Sequence, residues 1–183
     1  NHKIEIISLP GKYWKWRMRG GAITLANDFM ELDYSPDLVL ATDMLDLTTF
    51  LSLTRSNSYK LPIAIYFHEN QLSYPWSTND RDLQKKPDRH YGFINVSSAL
   101  VADHVLFNSN YHYESFQNEG LKFLKNFPDR NELDVMQKIK KKSKVLYLGM
   151  DLSKFDKYKT LAKREPLILW NHRWEYDKNP EPF

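Results

Sequence analysis

Apolar residues arrive in short runs of strand length, separated by stretches in which they recur every three or four positions. The central run is Leu61-Pro62-Ile63-Ala64-Ile65-Tyr66-Phe67, which stops abruptly at His68-Glu69-Asn70-Gln71. A strand that is apolar on both faces belongs to a parallel sheet covered by helices. Similar runs at Ile4–Leu9, Leu38–Ala41, His104–Phe107, Val145–Leu148 and Leu167–Trp170 predict further strands, the first ended by Pro10-Gly11. Helical spacing predicts Ala22–Leu32 and, behind a polar cap opened by Asp43, Leu45–Leu53. Another helix starts at Pro87-Asp88, turns Tyr91, Ile94, Ser98, Val101 and Ala102 inward, and ends at Asp103. Ser109 caps a helix over Asn110–Glu119 that Gly120 stops, and Asn131–Lys142 places Leu133, Met136 and Ile139 on one face. Ser73–Lys86 reads as a polar loop. Strand and helix alternate throughout, which predicts a doubly wound α/β domain with a parallel sheet and helices on both faces. The domain is expected over residues 1–153, followed by a charged linker at 154–166 and the start of a second domain at 167–183.

With 42% apolar and 14% aromatic residues, the 183-residue chain can fill a sizeable core. It has no cysteine, which fits a reducing cytoplasm, and no apolar run near the roughly 20 residues that span a bilayer. Lys3–Leu9 enters a strand in full stride and Glu181-Pro182-Phe183 stops where a helix should begin, so a longer protein is expected around this chain.

The net charge is only +3, but the cations are bunched. Lys12, Lys15, Arg17 and Arg19 interleave with Tyr13, Trp14 and Trp16, a composition that stacks bases and neutralises phosphates. The alternative is that Trp14 and Trp16 pack on the sheet while the cations stay wet. A second cluster, Lys138, Lys140, Lys141, Lys142 and Lys144, reads first as a solvated helix face.

Ligands of open α/β sheets bind at the carboxyl ends of the strands, where His68, Glu69, Asn70 and Gln71 fall. A zincin helix needs a second histidine four positions after the first, and Leu72 stands there. A metal-free role is therefore expected: His68 polarises a hydroxyl, while Asn70 and Gln71 offer amides suited to sugars. The plainer reading has His68 and Asn70 tying down the following loop. Arg173 and Lys178 follow the last expected strand and can clamp a diphosphate, the first as a fork and the second as a point charge. Neither a Walker loop nor Gly-x-Gly-x-x-Gly is present, which removes the usual support for nucleoside triphosphatases and dinucleotide binding.

In combination, Ser8-Leu9-Pro10 through Arg19, Tyr66-Phe67-His68-Glu69-Asn70-Gln71-Leu72-Ser73-Tyr74-Pro75, Phe107-Asn108-Ser109, Glu114-Ser115-Phe116 and Trp170-x-His172-Arg173-Trp174-Glu175-x-Asp177-Lys178-x-Pro180-Glu181 resemble the tRNA-queuosine α-mannosyltransferases. Gly149-Met150-Asp151 with Phe155 is similar to the domain-ending turn of glycosyltransferase family 4. The resemblance implies a GT-B fold of two Rossmann-like domains, acceptor side first and nucleotide-sugar side second. It implies transfer of mannose from GDP-mannose to queuosine in a tRNA anticodon, with retention, without a metal or other cofactor, and away from membranes. His68 would face the sugar, with Glu69, Asn70, Gln71, Asn108 and Ser109 around acceptor and sugar. Arg173 and Lys178 would grip the donor, and Lys12, Trp14, Lys15, Trp16, Arg17 and Arg19 the RNA. The family's opening strand with its Gly-Gly-Ser-His loop and its paired donor-domain glutamates lie outside this sequence, so the isolated chain is expected to be inactive. Other readings are a same-fold enzyme with a glycan or lipid acceptor, or a non-catalytic RNA-binding module.

Overall fold

The structure, a computed structural model, describes residues 2–75, 90–159, 168–175, 178, 180 and 181. Its elements are α1 (Trp14–Met30), β1 (Val39–Thr42), α2 (Leu47–Leu53), α3 (Arg55–Ser58), β2 (Ile63–Phe67), α4 (His90–Val101), β3 (His104–Phe107), α5 (Asn110–Lys125), α6 (Asp134–Lys141) and β4 (Ser143–Val145). A 3-10 helix follows at Leu152–Tyr158. The chain divides into two compact units, one of Asn1–Tyr74 with Asp88–Tyr147, the other of Pro75–Pro87 with Leu148–Phe183. All four strands lie in the first.

The sheet is parallel throughout, in the order β1-β2-β3-β4. Strand order follows chain order, so each crossover steps the same way, and right-handed crossovers then drop their helices on the same face. The core agrees. Ala22, Ala26 and Phe29 of α1, Phe50 of α2, Val96 and Ala99 of α4, Phe116 and Phe123 of α5 and Met136 and Ile139 of α6 form one cluster with Ala41, Ile63, Ile65, Phe67, Val105 and Phe107. Those strand residues alternate along their strands and so share a face. On the opposite face Leu40 is 62% exposed, and Tyr66 and Leu106 are only partly buried. The α/β class and the Rossmann-like parallel sheet flanked by helices stand.

Several boundaries differ from those expected. Residues 3–9 form no strand: Ile4 and Ile6 are exposed, while Ile7 packs against the core and Leu9 against Gly21 of α1. Helix α1 begins at Trp14, eight residues early, and runs through the Gly20-Gly21 pair. Those glycines serve close packing: a Cβ on Gly20 would stand 2.6 Å from Cζ2 of Trp16, and one on Gly21 would press 3.0 Å from Leu9 Cδ1. Gly120 likewise continues α5 instead of ending it, because Met136 of α6 fills the space a side chain would need. The cap of α2 is Asp46, whose Oδ1 accepts from the Thr49 N–H at 3.0 Å, and not Asp43. The last two expected strands are reduced: β4 is Ser143–Val145, and residues 168–170 are not in a strand, Leu167 lying outside the described residues. The expected loop beyond Pro75 and the Pro87-Asp88 helix start also lie outside them.

Candidate functional site

Register builds the site. Thr42 pairs with Tyr66, and Phe67 with Phe107, so the residues that follow three adjacent strands, Asp43, His68 and Asn108, come side by side at the carboxyl edge of the sheet. Asp43 is wholly buried (0% exposed), and its Oδ1 accepts from the His68 backbone N–H at 3.2 Å and contacts His68 Nδ1 directly. The His68 carbonyl accepts from Asn108 Nδ2 at 2.9 Å. Three polar atoms of His68 are therefore held, while its side chain stays 50% exposed, and Nε2 is the ring nitrogen left over. The hydrogen bond to Asp43 raises the His68 pKa above its ordinary value; burial opposes this, and the charges of Asp43 and Glu69 add to it. The imidazole is thus a proton-carrying group oriented by a buried carboxylate, an arrangement that polarises or donates to a hydroxyl.

Helix α4 fixes the loops behind it. Asn95, fully buried, donates through Nδ2 to the Asp43 carbonyl at 2.9 Å and accepts from the Gln71 N–H at 2.7 Å. Ser98 accepts from the Leu47 N–H at 3.1 Å and donates to the Leu45 carbonyl at 3.3 Å. Asn70 is buried within its own loop, where Oδ1 receives the Leu72 and Ser73 N–H groups, both at 3.1 Å, and the Ser73 hydroxyl. Gln71 Nε2 donates to Glu69 Oε1 at 3.0 Å. Ser109 caps α5 by accepting from the His112 N–H at 3.1 Å. Ser109→Ala should lower the unfolding free energy by about 1 kcal/mol, read as an earlier urea midpoint; an unchanged midpoint would show the cap to be idle.

The basic, aromatic segment sits on the same edge. The Asp46 N–H bonds the Met18 carbonyl at 2.9 Å, and the Trp14 ring lies 5.4 Å from Tyr91 at the start of α4. Trp14 stays 41% exposed beside Tyr91, while Arg17 is partly buried, its Nη1 buried with no hydrogen-bond partner among the described residues. Lys12, Trp16 (69% exposed) and Arg19 face outward, and Lys15 reaches over Trp14 with Nζ 5.8 Å from the ring centre.

Residues 1–150 match the family model described as tRNA-queuosine alpha-mannosyltransferase N-terminal. The chain belongs to the tRNA-queuosine α-mannosyltransferase family. The Drosophila melanogaster protein named tRNA-queuosine alpha-mannosyltransferase is 36% identical over 186 residues, a match covering 97% of this chain and 48% of that relative. The chain thus spans about half the length of this curated relative. No solved structure matches it.

For a member of the tRNA-queuosine α-mannosyltransferase family, the residues brought together are His68, Glu69, Asn70, Gln71, Asn108 and Ser109, with Asp43, Asn95 and His112 added by the structure. Asp43 looks like a cap and is brought in by the pairing of β1 with β2, Asn95 by the packing of α4 behind the loops, and His112 by its place four residues after Asn108 in the first turn of α5. In the second unit, Arg173 Nη1 lies 3.2 Å from Glu175 Oε1, and the Lys178 N–H bonds the Glu175 carbonyl at 3.0 Å. Among the described residues no three His, Cys, Asp or Glu side chains gather in a way that could hold a metal, and no helix is long and apolar enough to cross a membrane.

Proposed function

We propose that the complete protein transfers mannose from GDP-mannose to queuosine in a tRNA anticodon, with the anomeric configuration retained. Residues 1–153 are the acceptor-side domain of a cytoplasmic GT-B enzyme, 154–166 its linker, and 167–183 the opening of the donor-binding domain. The observation that carries this reading is the Asp43–His68–Asn108 row at the carboxyl edge of the sheet, in a chain of this family.

Transfer breaks the bond between mannose C1 and a GDP phosphate oxygen and forms one to a hydroxyl oxygen of the acceptor. Negative charge grows on the departing phosphate oxygen, which takes up the proton that the acceptor hydroxyl gives up, so that GDP leaves and the new C1–O bond is neutral. His68, with Nδ1 against Asp43, offers Nε2 to the sugar. Arg173 and Lys178 supply positive charge to the diphosphate, which needs no metal if those cations are placed where charge develops. Lys12, Trp16 and Arg19, outward on α1 and its approach, take the RNA: the cations meet phosphates and the indole stacks a base.

Incubating the complete protein with labelled GDP-mannose should mannosylate tRNA that contains queuosine and leave tRNA lacking it unlabelled. Equal labelling of both, or of neither, overturns the reading. Arg19→Ala should weaken tRNA binding and reduce the slope of log affinity against log salt by about 1. Unchanged affinity and slope would remove α1 from the RNA contact.

A further inference from the structure

His112 has no part in the row just described, yet its hydrogen bonds lead into it. It lies in the first turn of α5, 7% exposed, edge-on to Phe67 at 6.3 Å and to Phe107 at 5.3 Å. Its Nδ1 is 2.9 Å from Asn108 Oδ1, and the same amide donates through Nδ2 to the His68 carbonyl. That second bond settles the first. A carbonyl can only accept, so Asn108 must present its NH₂ to His68 and its oxygen to His112. An amide oxygen also only accepts, so the proton of the His112 ring is on Nδ1.

From this geometry we infer that His112 is a positioning residue: its Nδ1–H fixes the Asn108 amide, which holds the His68 carbonyl and so the orientation of the His68 imidazole. Freed of His112, the amide can rotate, and its oxygen can turn toward the His68 carbonyl, where two acceptors repel. The Ser109 hydroxyl, 3.3 Å from the same oxygen, is a longer and weaker second donor. Burial lowers the His112 pKa, as expected of an imidazole packed edge-on to Phe67 and Phe107. The ring also packs against Phe67, the residue that delivers His68, so the same side chain braces both the backbone before the imidazole and the carbonyl after it.

The inference rests on the proposed activity for its kinetic readout but has a second readout that does not. In the complete protein, His112→Phe keeps the ring's bulk and loses the donor, whereas His112→Asn places an amide N–H near the position of Nδ1. His112→Phe should lower kcat about tenfold or more while KM for GDP-mannose stays within about twofold. His112→Asn should recover most of that loss, and His112→Phe combined with Asn108→Ala should be no worse than Asn108→Ala alone. NMR titration of the His68 ring should show its midpoint falling in His112→Phe and in Asn108→Ala, because a loosened loop weakens the contact with Asp43. A folded His112→Phe protein with wild-type kcat and an unmoved His68 midpoint overturns the inference, as does His112→Asn performing no better than His112→Phe. Where His112→Phe does not fold, Asn108→Ala, at a partly exposed position, decides through the His68 midpoint. Should the wild-type protein mannosylate no tRNA, the proposed activity falls while the His68 titrations still decide the role of His112.

Discussion

Replacing His68 by alanine in the complete protein should reduce mannosyl transfer by about a hundredfold or more, the range that a positioned proton-transfer group supplies. The expectation follows from how few options the structure leaves this side chain. Its backbone N–H and Nδ1 belong to Asp43 and its carbonyl to Asn108, so truncation at Cβ deletes the one ring nitrogen with no role inside the domain. The side chain is half exposed, so water can enter the vacated space, and the fold should survive. Affinity for tRNA should hold within about twofold, because the outward cations and indole of α1 are untouched, and a loss of kcat without a loss of binding marks an interaction made in the transition state. Full turnover by a folded His68→Ala protein would remove the imidazole from the mechanism; equal loss of binding and turnover would make it a binding group.

How much of this was legible beforehand follows from which information is local. The run Ile63–Phe67 and the run His104–Phe107 announced their strands because a buried parallel strand is apolar without interruption, and Ser109 announced its helix because an N-cap needs a short side-chain oxygen at that position. His68 was legible for the same reason, as the first polar residue past a buried strand. One glycine misled: Gly120 read as the end of its helix, whereas it makes room for Met136 of α6, a tertiary fact absent from the local sequence. Two lysines of the Lys138–Lys144 cluster have structural partners: Lys138 pairs with Asp134 at 2.7 Å within its helix, and Lys142 turns its ammonium onto the Leu100 and Ala102 carbonyls at the end of α4. Asp43 was invisible as a partner of His68 because the two are 25 positions apart and meet only through the pairing of β1 with β2.

That pairing makes Asp43→Asn the sharper test of how His68 is tuned. Both contacts from His68 go to Oδ1, so an asparagine whose carbonyl oxygen takes that place keeps those hydrogen bonds, removes the charge, and puts an NH₂ where Oδ2 is buried with no hydrogen-bond partner among the described residues, a cost that does not vary with pH. The His68 pKa, raised in the wild type first by this hydrogen bond and then by the Asp43 charge, should fall, since burial, which works in the opposite direction, remains. Glu69 is the other negative group acting on the ring and sustains only a small part of the rise. The sign of the stability change follows from linkage. A group with a raised folded-state pKa stabilises fully below its unfolded value, about 6.5, and that contribution disappears as the pH rises through the folded value. The stability gap between wild type and Asp43→Asn should therefore be widest near about pH 5.5 and narrow toward about pH 9. Its size at the low end should be about 1 kcal/mol or less, because water screens the Asp43 charge from a half-exposed imidazole. The kcat profile should move with it: if the protonated imidazole is the active form, Asp43→Asn loses activity about tenfold near neutral pH and regains part of it in acid. Urea unfolding at the two pH values, set beside the rate profile, checks both. A gap that widens with rising pH, or a His68 ring that titrates in Asp43→Asn where it does in the wild type, would mean that the buried carboxylate shapes the loop without setting the proton affinity of the imidazole.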